Sequence, residues 1–280
     1  MRKQYTTMDE FSKNSLIDLY GADLSLIHNF VSSPYNKIID LSTAKGLNGN
    51  LDLSRAEYVD LSFTDVTNVQ NLKLNPKARS LTLSNVIGLT GFLDCSKVDS
   101  LYFKGLDFAI LRIGFNSKAS RIYIPFARNL RDVLDFGGVQ ELTLASSDVS
   151  KVDVLKLNPN ARKLDLSNVI GLRGVLYFNN VSKLSLCYTD LSNVPQIQFN
   201  KHANLIDLAA TKGLKGVLDF GFAQRVNMRN ADLSNVPQII CGSNTVLQNL
   251  PVNWHGEIIR RGVPTNAQSL AKLKNKNRSK

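Results

Sequence analysis

Along most of the chain an apolar residue, a polar one and a second apolar one recur as a triplet, as in Leu164-Asp165-Leu166. The triplets begin at Ile17, Ile39, Val59, Leu81, Leu101, Ile122, Leu142, Leu164, Leu184, Ile206, Val226 and Leu250, and most spacings alternate between 20 and 22. A period of two sends the outer residues of each triplet to one face of a strand and the middle residue to the other. Self-similarity at this longer period marks a solenoid, in which each coil buries its apolar face against its neighbours. One short strand per coil, stacked in parallel, makes a continuous sheet.

A second triplet follows 11 to 13 residues later in the better-preserved coils. The series starts at Leu51-Asp52-Leu53 and continues from Leu72, Leu93, Leu111, Leu134, Leu155, Leu176 and Ile197 to Leu218-Asp219-Phe220. It predicts a second parallel strand on the opposite side of the coil. Two strands within 20–22 residues leave no room for a regular helix. Turn chemistry agrees. GLxG recurs at Gly46–Gly49, Gly88–Gly91, Gly171–Gly174 and Gly213–Gly216, where glycine takes positive φ in tight corners. DLSNVPQ recurs at Asp190–Gln196 and Asp232–Gln238, with Pro195 and Pro237 stiffening the bend. The pattern is weakest between Leu101 and Val154, where GLxG becomes Asn129-Leu130-Arg131-Asp132.

The expected fold is therefore a β-rich solenoid with little helix outside its caps. Residues 1–15 form an N-terminal cap, 16–252 one repeat solenoid of about twelve coils, 253–264 a C-terminal cap and 265–280 a basic tail. Thr7-Met8-Asp9-Glu10 has the spacing of a capping box, Trp254, Ile258 and Ile259 supply the second cap, and a short helix is expected over Thr265–Leu273.

LDLSNVIGLRG at Leu164–Gly174 and LTLSNVIGLTG at Leu81–Gly91 resemble half of a leucine-rich repeat. The short units and the lack of a signal peptide are similar to bacterial leucine-rich-repeat proteins, some of which are effectors delivered into host cells. The resemblance implies a curved parallel-sheet solenoid whose strand face binds other proteins. Asn168 stands one position early for the repeat's asparagine and Val169 occupies its place, so a parallel β-helix is the competing architecture. The LPxLP signature of effector ligases is absent, and too few residues follow the last coil for a ligase domain.

Charge adds a polarity. Residues 1–100 carry 10 Lys and Arg against 11 Asp and Glu, whereas residues 101–280 carry 24 against 12. The basic part and tail make a nucleic acid or an anionic surface the alternative partner. Cys95, Cys187 and Cys241 lie far apart without a CxxC pair, and Cys95 and Cys241 fall at inward positions of the coil, which fits buried thiols in a reducing compartment. With no apolar run of membrane-span length, the expected location is cytoplasmic, or outside by a route independent of a signal peptide.

No Walker loop, GxGxxG, HExxH or GxSxG motif occurs, so a non-enzymatic module without cofactor or metal is expected. A carbohydrate-active β-helix protein is the remaining alternative. The middle residues of the triplets locate the candidate surface. Those of the second series read Asp52, Lys73, Asp94, Arg112, Asp135, Lys156, alternating in sign as a structural row would. Those of the first series place Asp18, Asp40 and Asp60 in succession, then Thr82, then Tyr102 and Tyr123 side by side. Lys104 and Arg121 flank the tyrosines, and Lys163, Lys183, Arg225 and Arg229 lie further along. Exposed Tyr and Arg together are typical of protein-binding hot spots. A calcium ion across the aspartates is a second use of the acidic row.

Overall fold

The computed structural model describes residues 12–109 and 111–262. The chain divides into two units, residues 1–172 and 173–280. Both are parallel β-solenoid, about twelve turns in all, and no helix occurs among the described residues. The expected capping box, C-terminal helix and basic tail lie outside the described residues.

In the first unit the first-side strands are Leu16–Asp18, Ile38–Asp40, Tyr58–Asp60, Ser80–Thr82, Ser100–Tyr102, Arg121–Tyr123, Glu141–Thr143 and Lys163–Asp165. They stack in sequence order as one parallel sheet. In the second unit Lys183–Ser185, Leu205–Asp207, Arg225–Asn227 and Val246–Gln248 do the same. The middle residue of each strand and the residue after the strand point inward. Ile17, Leu19, Ile39 and Leu41 are all buried, while Asp18 between the first two is exposed. The one misplaced coil is the last. Its strand centres on Leu247, in register with Val226, and not on Leu250. There the residue after the strand is Asn249, at φ 55°, so the apolar-polar-apolar signal is missing.

The second side is assembled from short separate sheets. The first unit has a three-stranded sheet of Asn29–Val31, Gly49–Leu53 and Val69–Leu74, and two pairs, Gly91–Cys95 with Leu111–Phe115 and Arg131–Phe136 with Lys151–Leu157. The second unit has the pair Leu176–Tyr177 with Ile197–Gln198 and a sheet of Lys215–Gly221, Asn235–Gly242 and Glu257–Arg261. The expected C-terminal cap thus contributes a further strand, Glu257–Arg261, in register with Gln238–Gly242.

Register explains the alternation of 20 and 22. Gly49 pairs with Val69 and Asn50 with Asn71, so Gln70 is an unpaired bulge residue in a 22-residue coil. Asp153 plays the same part between Val152 and Val154. The second added residue lies in the following corner. Ser54-Arg55 connects Leu53 to Ala56, whereas Asn75-Pro76-Lys77 connects Leu74 to Ala78. The longer corner is held by its asparagine: Asn75 Nδ2 donates to the Ala56 carbonyl at 2.9 Å, and Asn158 and Asn200 donate likewise to Val139 and Val181. Pro237 lies at another irregularity, where Lys215 pairs with Asn235 and Val217 with Gln238. A residue without an N–H fits a bulge at no cost in ladder bonds.

The asparagine of the leucine-rich-repeat resemblance has a different role. Asn168 is exposed at φ 53°, in the left-handed corner that follows each first-side strand. Glycine and its substitutes behave as expected. Gly88 has φ 86°, and a Cβ added to it would sit 2.5 Å from the Thr67 nitrogen. In the degenerate coil Asn129 and Asp132 take the two glycine positions at φ 57° and 64°. Asparagine and aspartate tolerate that region better than other side chains.

Candidate functional site

The repeated Asp-x-Ser of the sequence is a turn device. Asp40 Oδ1 accepts from the Ser42 N–H at 2.8 Å and from its hydroxyl at 2.6 Å. Asp60 accepts from the Ser62 N–H, and Asp18 from the Tyr20 N–H. Asp18, Asp40 and Asp60 are direct neighbours across the first sheet, yet each closes its own corner. Among the described residues no group of three or more His, Cys, Asp or Glu is placed to hold a metal ion. The same device recurs at Asp65, Asp94, Asp148 and Asp190, where hydrogen bonds from the residue two positions on hold the carboxyl below its ordinary range.

The first sheet carries the tyrosine pair in the middle of the first unit. Strict pairing sets Tyr102 beside Tyr123, with ring centroids 6.2 Å apart and planes tilted by 42°. Arg121 holds Tyr102 in place. Its Nη1 donates to the Tyr102 hydroxyl at 2.6 Å and its Nε to Glu141 Oε2 at 3.0 Å. Glu141, mostly shielded by its neighbours, also pairs with Arg162. Tyr102, Arg121, Glu141 and Arg162 therefore form a polar chain across four consecutive coils.

Beside this chain the face is hollowed. Ser80 and Ser100 are neighbours in the outward row between Tyr58 and Arg121, and their small side chains leave a shallow depression of about 540 Å³. Tyr58 and Tyr102 wall it, and Arg79 and Asp99 stand at its rim. The rim is ordered. Arg79 pairs with Glu57 at 3.1 Å, and Asp99 accepts from the Ser120 N–H and hydroxyl at 3.0 and 2.7 Å. Tyr58, Arg79 and Asp99 were not among the sequence candidates. Two successive serines in the outward row were the available signal, because a depression forms wherever small residues pair between large ones.

The remaining candidates scatter. Lys104 lies in the corner beyond its strand, with Nζ 5.6 Å from the Phe126 ring centroid. Lys163 faces out next to Glu141. Lys183 and Arg225 face out from first-side strands of the second unit, and Arg229 follows the strand in the turn closed by Asn227 Oδ1. The second-side charge row needs one correction. Asp94 pairs with Gly114, and Arg112 pairs with Phe92, because Ile113 and Phe115 are the residues in register with Leu93 and Cys95, two positions later than the triplet count gave. Leu111, itself buried, pairs with Gly91. The expected alternation does hold at Asp135 and Lys156, 3.1 Å apart, and more loosely at Asp52 and Lys73.

Cys95 and Cys241 are buried, and burial raises both thiols, Cys95 to about 12. Burial also raises the half-buried Cys187. Such thiols are protonated and poorly nucleophilic at neutral pH. Among the described residues no helix is long and apolar enough to cross a membrane. What the fold and face define is a repeat solenoid with an ordered aromatic surface. No protein-family model, curated protein or solved structure matches the chain.

Proposed function

We propose that the chain is a non-enzymatic binding module that takes a protein partner on the first-sheet face of residues 12–172. Tyr58, Tyr102 and Tyr123 are its anchors. The observation that carries this reading is a tyrosine pair, with Tyr102 held by Arg121, beside an open depression. Aromatic side chains held in place before binding lose little entropy on contact, which is why Tyr and Arg dominate binding hot spots. The likeness to leucine-rich repeats, which use their strand face in the same way, supports it.

The test uses the full chain with a photo-crosslinking residue in place of Thr82, on this face, or of Lys156, on the second side. Adducts to a discrete partner are expected from position 82 alone. Tyr102→Ala, Tyr123→Ala and Arg121→Ala combined should abolish them with the thermal midpoint nearly unchanged. Unchanged capture by the folded triple variant would overturn the reading.

A further inference from the structure

In both units the corner before a first-side strand has a fixed inward position. It is alanine or valine in nine coils: Ala56, Ala78, Val98, Ala119, Val139, Ala161, Val181, Ala203 and Ala223. In the last coil the corresponding residue is Thr245, 4 % exposed, and its hydroxyl has no hydrogen-bond partner among the described residues. A buried hydroxyl without a partner costs free energy that valine would not. Asn36 also breaks the rule, but its amide is satisfied, with Nδ2 donating to the Asn14 carbonyl at 2.7 Å and Oδ1 accepting from the Ser33 N–H at 2.6 Å. At Thr245 the departure leaves a polar atom without a partner among the described residues.

That place adjoins a cavity of about 490 Å³ lined by His202, Phe222, Gln224, Gly242, Asn244 and Thr245. Its lining is mostly apolar, unlike the open tyrosine depression of the first unit. The residue just before the inward position is His202 in one coil and Phe222 in the next, and their rings run nearly parallel, 16° apart, with centroids separated by 6.0 Å. Gly242 continues the wall as bare backbone. A Cβ there would lie 2.6 Å from Phe222 Cδ1, so the ring rests directly on the glycine. Arg260 ties this end together, donating from Nη1 to the carbonyls of Gly242, Ser243 and Thr245 at 3.4, 3.2 and 3.1 Å.

We propose that this corner is a small-molecule site for a neutral planar aromatic ring with one hydrogen-bonding group on its edge. The ring lies along the wall of Phe222 and Gly242, and its polar edge meets the Thr245 hydroxyl after a turn about that side chain's single rotatable bond. The volume suits one bicyclic ring system, and the amides of Gln224 and Asn244 border the opening. This site is separate from the protein-binding face and does not depend on it.

The experiment is calorimetric titration of the full chain with indole, benzene and cyclohexanol. Indole, which is planar and carries an N–H, is expected to bind saturably. Benzene lacks the polar edge and cyclohexanol the plane, and both should bind at least fivefold more weakly. Thr245→Val should weaken indole about five- to tenfold, the equivalent of one neutral hydrogen bond, while leaving the thermal midpoint unchanged or raised. Phe222→Leu should weaken all three probes. Three results would overturn the proposal: no saturable indole binding by the full chain, equal indole affinity in Thr245→Val, or a lowered midpoint in that variant. The last would mean that the hydroxyl already has a partner within the chain.

Discussion

On the first side of the coil every strand in both units is three residues long, and neighbours pair without a register shift. On the second side strands run from two to eight residues, sheets break after two or three strands, and bulges fall at Gln70 and Asp153. Both sides are read from the same repeat. The difference shows where a solenoid stores variation in coil length. The two added residues of a 22-residue coil go to the second strand and the corner after it, where asparagine amides satisfy the carbonyls that the longer path leaves open. The first side is thereby kept in constant register, so its outward rows can carry any side chain without disturbing the stack. A row in constant register is what brings Tyr102 against Tyr123, and Ser80 against Ser100.

The largest test of this contrast is in the core. Leu81, on the first side, is fully buried, whereas Leu72, at the equivalent inward position on the second side, is only partly so. Leu81→Ala should cost about 2–5 kcal/mol, as cavity formation in a packed core does. Leu72→Ala should cost less than about 2 kcal/mol, because part of its surface is already in contact with water. Urea unfolding of the two variants checks this. Equal losses would mean that the second side is packed as tightly as the first and that its broken sheets carry no weakness.

The contrast also decides what the sequence reveals. Eleven of the twelve first-side strands can be placed from the triplets, because one strand length and one register hold throughout. The twelfth is lost where Asn249 replaces the second apolar residue. On the second side Phe30 and Ile239 escape notice, and the strand at Leu111–Phe115 is read two residues early. A count from the first strand cannot show whether a coil holds its bulge. The candidate face is partly visible for the same reason. Tyr102, Tyr123 and Arg121 follow from the register, but the depression between Tyr58 and Tyr102 depends on two outward rows considered together. Arg121's bond to Glu141 is a choice among side-chain partners that spacing does not decide.

A smaller effect should appear with acid. The carboxyls of Asp65, Asp94, Asp148 and Asp190 lie below their ordinary range in the folded chain, first through hydroxyl hydrogen bonds and then through backbone ones. The unfolded chain therefore binds protons more readily. The stability these groups contribute is fully present above their unfolded value, near 3.9, and is lost as pH falls through the folded values. The urea midpoint should be level from about pH 7 to 5 and decline below about 4. Asp148→Asn should reduce the decline and change little at neutral pH, since asparagine closes the equivalent turn at Asn75 and Asn158. A steeper decline in that variant would show that the carboxylate is not a source of the acid sensitivity.

The smallest effect concerns the second-side charges. Asp135 and Lys156 pair at 3.1 Å with about half of each side chain exposed, so their coupling should be only about 0.2–1 kcal/mol, and less in about 1 M salt. A double-mutant cycle with Asp135→Asn and Lys156→Met measures it. The same cycle on Asp94→Asn and Arg112→Met should give no coupling, although the two residues are consecutive members of the alternating row in the sequence. Gly114 stands opposite Asp94, and Arg112 Nε lies 4.0 Å from Asp132 instead. Coupling between Asp94 and Arg112 as strong as that between Asp135 and Lys156 would require a strand shifted by two residues. It would remove the irregularity that separates the second side from the first.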